Sequence, residues 1–244
     1  MFKHMITFAA VVGWVFALAP AAQASLLTGP GGIVCPTGAH PTLGRNWTVG
    51  DTYQLIFVTS TARTAASSDM AVYNAFVQAA ADAAGLGASV GVEWRAVAST
   101  NNVNARDNAA ITGLVYNMAL ELVGDISQLY GEANNVNDVY YTEYVVKRPG
   151  DSVMWTGSTR YGLKWESGLG GNMELGRVMV GTSDDSGNGW LEDGGRRYNR
   201  WPGIDEFPLY SLSSTLTIIP EPATMVLLGL GGMGMLLGRR RGRA

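Results

Sequence analysis

The chain has 244 residues, enough for one domain of ordinary size and for two at most. Charged residues make up only 15% of it, against roughly 25% in a typical soluble domain, and 32 glycines predict many turns and loops. One cysteine and two histidines exclude an internal disulfide and a zinc site built from several cysteines or histidines.

The charge is distributed unevenly along the chain. Of the 17 basic and 20 acidic residues, 12 basic and 19 acidic residues lie between positions 25 and 219, which gives this segment a net charge of −7. A nucleic-acid partner is therefore not expected, because nucleic-acid-binding surfaces are basic.

The N-terminal segment has the three parts of a secretory signal peptide. Lys3 supplies the positive charge, an apolar run spans 6–19, and Ala22-Gln23-Ala24 has the small residues that signal peptidase requires. We expect cleavage between Ala24 and Ser25. The alternative, a permanent anchor, is disfavoured because the run is shorter than the ~20 residues of a membrane span.

Residues 25–50 are rich in glycine and proline and are interpreted as an N-terminal extension, followed by one domain over 51–219. In that domain, aromatic and β-branched residues predict a strand at 53–58. Helical spacing of apolar residues predicts a helix at 69–84, with its N-cap in Ser67-Ser68-Asp69 and its end at Gly85. Further strands are expected at 92–98, 153–157, 177–181 and 209–219, and residues 99–110 read as a polar loop.

Five sequence blocks of this domain occur in an order that resembles bacterial exported domains with a C-type-lectin-like or endostatin-like fold. The blocks are Glu93–Thr100 with Asn104–Asp107, Val115–Asn117 with Glu121–Val123, Met154–Ser158, Val180–Ser183 with Trp190, and Leu209–Leu212. The resemblance covers about residues 52–217 and implies a single α+β domain rich in loops. True C-type lectins use paired cysteines and a Glu-Pro-Asn calcium motif, and this segment has neither.

Two loop segments are candidate ligand sites. Asp184-Asp185-Ser186-Gly187-Asn188-Gly189 places side-chain oxygens as a calcium loop does, with Glu192 and Asp193 as the nearby acids that could complete the site. The same residues are also typical of a solvated turn. Arg196-Arg197-Tyr198-Asn199-Arg200-Trp201 could bind an anionic polysaccharide, or it could pair with neighbouring acids.

Tryptophan rings stack well on sugar rings, so an exposed set of tryptophans would indicate a glycan-binding surface. Trp94 and Trp155 lie in apolar strand patterns and are predicted to be buried in the core. Trp165, Trp190 and Trp201 lie in glycine-rich loops, where ligand contact is an alternative, although the core of a small loop-rich domain remains the expected place for them.

Catalytic patterns are weak. Gly87-Ala88-Ser89-Val90-Gly91 matches a nucleophile elbow in letters only, because a helix precedes it, a strand follows it and no histidine lies downstream of Ser89. Cys35 and His40 are read as an unused thiol and a neighbouring histidine. Many acids are available for a glycosidase pair, yet nothing in the sequence marks one.

The C-terminus has three parts in a fixed order: Pro220-Glu221-Pro222, a charge-free apolar run over 223–238, and an arginine-rich tail. A helix of 16 residues spans about 24 Å of a hydrocarbon core of about 30 Å. It is adequate to halt translocation and poor as a lasting anchor. The arginines should stay in the cytoplasm, so that residues 25–219 face the periplasm.

This tail resembles the PEP-CTERM sorting signal of Gram-negative bacteria that produce exopolysaccharide. The resemblance implies that the transmembrane helix 223–238 pauses in the inner membrane and that exosortase, a membrane protease, acts near the sorting motif Pro220-Glu221-Pro222. The alternative is a plain C-terminal anchor that is never cut.

We therefore expect an exported, non-enzymatic protein of the cell surface or the extracellular matrix, with a membrane-tethered intermediate facing the periplasm. Its expected partners are signal peptidase, exosortase and the exopolysaccharide of the biofilm, and its only candidate cofactor is calcium. Two alternatives stay open: a secreted hydrolase acting on glycans and a purely structural envelope protein.

Overall fold

The computed structural model describes residues 27–149, 152–166, 168–171, 178–183, 188–193 and 202–220. The predicted signal peptide, the predicted transmembrane helix 223–238 and the arginine patch 196–201 lie outside these residues. The described residues between 27 and 219 form one compact unit. No helix among the described residues has the length and apolar character needed to cross a membrane.

Short strands dominate the described residues. The strands are β1 (Leu27–Thr28), β2 (Thr52–Val58), β3 (Arg63–Thr64), β4 (Trp94–Ala96), β5 (Val115–Asn117), β6 (Leu122–Gly124), β7 (Val153–Trp155), β8 (Val180–Thr182), β9 (Glu206–Phe207), β10 (Tyr210–Ser213), β11 (Leu216–Thr217) and β12 (Ile219–Pro220). The α-helices are α1 (Met70–Ala83), α2 (Ala105–Asn108) and α3 (Ile126–Leu129). Short 3₁₀ turns cover Pro30–Gly32, Ala88–Val90 and Asn188–Trp190.

The main sheet is mixed and has β2 at its centre. Its strand order is β4-β10-β2-β5-β6, and β11 also pairs with β2. Strand β2 runs antiparallel to β10, with Leu212 opposite Ile56, and parallel to β5, with Leu55 opposite Tyr116. β1 and β12, β3 and β9, and β7 and β8 form two-stranded sheets. Mixed sheets with few helices confirm the predicted α+β class.

Strand β2 is central because six consecutive residues of its sequence, Tyr53–Val58, are buried. Alternate side chains point to opposite faces of a strand. Ile56 and Val58 accordingly pack in one apolar cluster with Tyr210 and Leu212, whereas Leu55 and Phe57 pack in another with Trp94. A strand buried on both faces reads as the nearly continuous apolar run that the sequence shows.

Residues assigned to the N-terminal extension contribute to the second cluster. Ile33, Cys35 and Trp47 are buried and pack with Tyr53. Part of the segment 25–50 therefore belongs to the core of the compact unit.

Helix α1 confirms the predicted helix over 69–84. The Asp69 side chain accepts a hydrogen bond from the Ala71 N–H at 2.9 Å, which caps the first turn. Tyr73, Val77 and Ala81 recur at helical spacing and are buried. This stripe packs α1 beside β4.

Side-chain amides cover the free edge of β4. The Trp94 N–H donates to the Gln78 Oε1 at 2.7 Å, and the Ala96 N–H donates to the Asn74 Oδ1 at 2.9 Å. The Asn108 Nδ2 donates to the Ala96 carbonyl oxygen at 2.8 Å. These bonds satisfy backbone groups that an exposed edge would leave open to another chain.

The other predicted elements are confirmed only in part. The strand expected at 153–157 is confirmed by β7, and the one expected at 177–181 corresponds to β8, which begins three residues later and ends one residue later. The strand expected at 92–98 is only three residues long. The loop expected over 99–110 was wrong in part, because helix α2 forms there.

The single strand expected at 209–219 is divided into β10, β11 and β12. Leu212 faces Ile56 and Leu216 faces Tyr53, so the final segment contains one residue more than its partner. The Ser213 Oγ accepts the Leu55 N–H at 2.9 Å at this irregularity, where a backbone carbonyl would be expected to accept. A side-chain hydroxyl thus replaces a ladder bond that periodicity alone predicts as continuous.

A hairpin over 140–148 contains a backbone conformation that disfavours its residue. Val145 has φ of +60°, in the left-handed region that a β-branched residue rarely adopts. Its N–H donates to the Thr142 carbonyl oxygen at 2.9 Å, and the Thr142 N–H donates to the Val146 carbonyl oxygen at 2.9 Å. The turn is held in this shape by its hydrogen bonds.

We expect Val145→Gly to raise the free energy of unfolding by about 0.5–1 kcal/mol. Relief of the left-handed conformation stabilises the folded state by about 1–2 kcal/mol. Glycine offsets about 0.5–1 kcal/mol of this gain, because it gives the unfolded chain more conformational entropy. Urea unfolding followed by tryptophan fluorescence measures the change. Val146→Gly, whose φ is outside the left-handed region, is the control and should lower stability. Equal effects of the two substitutions would contradict the assignment of strain to Val145.

A second stability effect depends on pH. The Arg45 guanidinium donates to Asp51 through Nη1 at 2.7 Å and through Nη2 at 2.6 Å, and the Thr48 N–H donates to the same carboxylate at 2.8 Å. Hydrogen bonds from Arg45 hold the pKa of the Asp51 carboxyl well below its ordinary value.

A carboxyl whose pKa is lowered by folding stabilises the protein above its unfolded pKa, which is about 3.9 for aspartate. We therefore expect Asp51→Asn to be less stable than the native chain at pH 6. The difference should shrink as the pH falls below about 4 toward 2.5, because the unfolded chain then binds a proton at Asp51 that the folded protein does not take up. Unfolding curves at several pH values measure it. A difference that stays constant down to pH 2.5 would contradict the proposed ionic origin.

Candidate functional site

The structure describes few of the sequence-predicted site residues. Ala24, Ser25, Glu221 and Pro222 lie outside the described residues, and Pro220 ends β12. Asp184 and Asp185 of the predicted calcium loop also lie outside. Among the described residues, no group of three or more histidine, cysteine, aspartate or glutamate side chains is placed to hold a metal ion.

Glu192, one acid proposed to complete the calcium site, has a structural partner. Its Oε2 accepts a hydrogen bond from the Arg160 N–H at 2.9 Å. Calcium binding stays a prediction for the loop 184–189.

The tryptophans behave differently from one another. Trp94 and Trp155 are buried, which confirms their predicted place in the core. Trp190 is only 2% exposed and also lies in the core, which the sequence analysis favoured over ligand contact. Its ring centroid lies 5.2 Å from that of Tyr210 and 6.4 Å from that of Tyr130. Trp165 is half-buried, and Trp201 lies outside the described residues.

Trp190 reaches the core from a loop that is rich in glycine and polar residues. The 3₁₀ turn Asn188–Trp190 directs this indole into the apolar cluster that also holds Val58 and Leu212. The interior of a domain takes a large aromatic side chain wherever the turn geometry allows, because its burial removes much apolar surface from water.

Ser89 lies on an exposed turn, as the sequence context indicated. It sits in the 3₁₀ turn Ala88–Val90, between α1 and β4. Gly91 closes the turn with φ of +74°, which explains the glycine at that position. The pattern is therefore the turn between a helix and a strand and has none of the geometry of a nucleophile elbow.

A cleft of about 350 Å³, called the polar cleft because most of the residues that line it are polar, lies at the junction of four separate chain segments. Gln54 comes from β2, Glu93 and Arg95 come from the edge strand region, Asp107 and Thr112 come from α2 and the loop after it, and residues 212–215 come from β10 and the turn that follows. The volume lies at the lower end of the range for small-molecule sites.

The floor of the cleft is the buried Gln54 amide. Its Nε2 donates to the carbonyl oxygens of Ser213 at 2.9 Å and Ala110 at 3.1 Å. Its Oε1 accepts from the Thr112 N–H at 2.8 Å and from the Thr112 hydroxyl at 3.2 Å. All four hydrogen-bonding positions of the amide are used by the protein, so that Gln54 shapes the cleft and leaves ligand contact to other residues.

Hydroxyl groups line one side of the cleft. The hydroxyls of Thr112 and Thr215 lie 2.8 Å apart, and both residues are exposed. Ser214 is also exposed, and its hydroxyl lies 3.4 Å from the Glu93 backbone nitrogen. Because the Thr112 hydroxyl donates to Gln54 and accepts from Thr215, the two threonines can only accept from a ligand, whereas the Ser214 hydroxyl keeps its proton to donate.

Charged side chains line the other side. Glu93 and Arg95, both exposed, form a salt bridge of 2.7 Å between Oε1 and Nη2. The Asp107 carboxylate accepts a hydrogen bond from the neutral Asn104 amide at 2.8 Å. Two carboxylates and one guanidinium leave the lining with a formal charge of −1.

Carboxyl groups with shifted pKa values serve local structure in the described part of the chain. A hydrogen bond from the Ala88 N–H lowers the pKa of Asp82, and hydrogen bonds from Ser127 lower the pKa of Asp125. Hydrogen bonds from Arg45 lower the pKa of Asp51. A general acid needs the opposite shift at neutral pH.

The C-terminal segment decides how the chain is handled by the cell. Residues 219–241 match the PEP-CTERM protein-sorting motif. The protein is therefore exported and processed by exosortase, a membrane protease, in a Gram-negative cell. This confirms the prediction made from the order of Pro220-Glu221-Pro222, the apolar run and the arginine tail. No curated protein matches the chain.

Sequence reasoning missed the cleft. One signal was available: Gln54 is the single polar side chain inside the apolar run Tyr53–Val58. A buried polar residue in a central strand must have partners, which could have marked position 54 as a structural junction. The partners themselves, at 110–112 and 213, could not be deduced.

We expect Gln54→Leu to lower the free energy of unfolding by about 2–4 kcal/mol, because the buried Ser213 carbonyl and the partly buried backbone groups at Ala110 and Thr112 lose their partner. Urea unfolding of the purified protein measures the loss. Thr52→Val, at the exposed start of the same strand, is the control and should change stability by less than about 0.5 kcal/mol. Similar small effects of both substitutions would contradict the structural role of Gln54.

Proposed function

We propose that this exported protein acts outside the inner membrane as a non-catalytic glycan-binding protein of the cell surface or extracellular matrix, with exopolysaccharide as its ligand. The observation that carries the proposal is the polar cleft lined by Thr112, Thr215, Glu93, Arg95 and Asp107. Hydroxyl, carboxylate and guanidinium groups together offer donors and acceptors that complement sugar hydroxyls.

The rigidity of the cleft supports binding. The Gln54 amide joins β2 to the segments at Ala110 and Ser213, and the Ser213 hydroxyl accepts the Leu55 N–H. Groups held by such bonds lose little conformational entropy when a ligand arrives. A single cleft of this size would bind a sugar unit weakly, and many copies on one surface would add their affinities through a repeating polymer.

Sorting by exosortase supports the proposed location. The motif at 219–241 takes the chain through export and membrane-associated processing. A domain with a net charge of −7 and a polar cleft would then meet the polymers of the cell exterior.

A secreted glycan hydrolase is the second candidate function. Glu93 and Asp107 are two carboxylates in one cleft, which is the residue type that glycoside hydrolysis requires. Glu93 is exposed and its carboxylate already bonds to Arg95, which counts against a role in catalysis.

Retention on the organism's own exopolysaccharide tests the first function. We expect the full chain, purified in mild detergent, to be retained equally with calcium and with excess EDTA. Thr112→Val/Thr215→Val should reduce retention at least five-fold, because it removes two hydroxyls from the rim. Thr61→Val, an exposed threonine outside the cleft, is the control.

Other results would identify other functions. Loss of retention in EDTA would instead assign binding to calcium at Asp184 and Asp185. Release of reducing sugar that stops in Glu93→Gln would support the hydrolase. No retention under any condition would leave a structural envelope protein.

Sorting is tested separately by replacing Pro220, Glu221 and Pro222 with alanine. We expect this variant to stay uncut in the membrane fraction of cells that contain exosortase, whereas the native chain is converted to a smaller form. Immunoblotting of membrane and medium fractions measures the difference. Thr217→Ala, just before the motif, is the control, and processing of the triple variant at the native rate would contradict the assignment.

A further inference from the structure

The charges in the cleft restrict the chemistry of its ligand. Arg95, which supplies the cation of the lining, already bonds to Glu93 at 2.7 Å. Asp107 has a neutral amide, Asn104, as its hydrogen-bond partner, and no salt bridge among the described residues includes it. The cleft therefore offers a carboxylate that no cation among the described residues pairs with.

The surroundings of the cleft strengthen this preference. The segment 25–219 has a net charge of −7, so the field of the domain adds to that of Asp107 and attracts cations. An anionic polysaccharide would meet repulsion from Asp107 and would have to displace Glu93 from Arg95. The anionic ligand expected for the arginine patch 196–201 does not fit this cleft.

The hydroxyl side of the cleft indicates that the positively charged ligand is a sugar. The hydroxyls of Thr112 and Thr215 lie 2.8 Å apart on the exposed rim, and Ser214 adds a third exposed hydroxyl. Such groups form directional bonds with the hydroxyls of a sugar ring. A bare metal ion is not favoured, because the described residues place no group of three acidic, histidine or cysteine side chains together.

We propose that the cleft binds an amino sugar, a glycan unit that carries a free, protonated amine, with Asp107 accepting the ammonium group and the Thr112–Thr215–Ser214 rim bonding the ring hydroxyls. The inference rests on the proposed glycan-binding function. An N⁺–H···O⁻ bond is about twice as strong as a bond between neutral groups, which makes Asp107 the residue that selects the amine.

The experiment compares three soluble probes on the full chain in mild detergent: a glucosamine oligomer, the same oligomer fully N-acetylated, and a uronic-acid oligomer of equal length. Isothermal titration gives the dissociation constants. We expect the glucosamine oligomer to bind at least ten-fold more tightly than the acetylated one, and the uronic-acid oligomer to bind most weakly. Raising the salt concentration should reduce the preference for the amine.

Substitution of the selecting residue sharpens the comparison. Asp107→Asn should weaken the binding of the glucosamine oligomer at least ten-fold. The dissociation constant of the acetylated oligomer should change by less than two-fold. The Asp107 side chain is exposed, so an unchanged urea unfolding curve is expected for the variant. Glu206→Gln removes an exposed carboxylate outside the cleft and is the matched control for net charge.

The outcomes separate the two proposals. Equal binding of the glucosamine and acetylated oligomers, unaffected by Asp107→Asn, would overturn the amino-sugar inference and leave glycan binding intact. The tightest binding by the uronic-acid oligomer would overturn it as well. Binding of none of the three probes, with retention on exopolysaccharide still lost in Thr112→Val/Thr215→Val, would overturn the amino-sugar inference alone. If no probe binds and exopolysaccharide does not retain the native chain either, the proposed function is overturned too.

Discussion

The Gln54 amide is the constraint on which the central sheet and its cleft depend. It is buried in the middle of an apolar strand and bonds to Ser213 on one neighbouring segment and to Ala110 and Thr112 on another. A buried amide is costly unless every position is bonded, so these segments must meet it in one arrangement. That arrangement sets the floor of the cleft and brings the hydroxyl and charged sides together around it.

Side-chain amides perform the same task elsewhere in the domain. Asn74, Gln78 and Asn108 complete the edge of β4, and the Asn117 Oδ1 accepts the backbone N–H groups of Ala119 and Glu121 at 3.0 Å each. Most strands here have two or three residues, too few for backbone ladders alone to satisfy the buried polar groups. With one cysteine in the sequence, a disulfide within the chain is impossible. Hydrogen bonds of side-chain amides and buried tryptophans hold the loops in place instead.

The sorting motif and the cleft suggest a division of labour along the chain. Residues 219–241 take the protein through export and membrane-associated processing, whereas the compact unit 27–219 carries the surface proposed to recognise a glycan. The cleft is small and polar, which suits weak, repeated contact with a polymer better than tight capture of a single molecule. The negative charge of the unit then decides between polymers, because it attracts amines and repels carboxylates.

The sequence by itself determined the route of the protein and its local elements. Sorting signals are linear, since order, hydropathy and charge along the chain carry them, and helix α1 and strand β2 follow from the spacing of apolar residues. The tertiary structure alone decided the cleft, because Gln54, Arg95, Asp107 and Thr215 come from segments far apart in sequence. It also decided the burial of Trp190 and the division of the segment 209–219 by the Ser213 hydroxyl. Both depend on neighbours in space that no local sequence pattern specifies. For this reason the sequence alone indicated how the protein is sorted, whereas only the folded chain revealed a candidate ligand site.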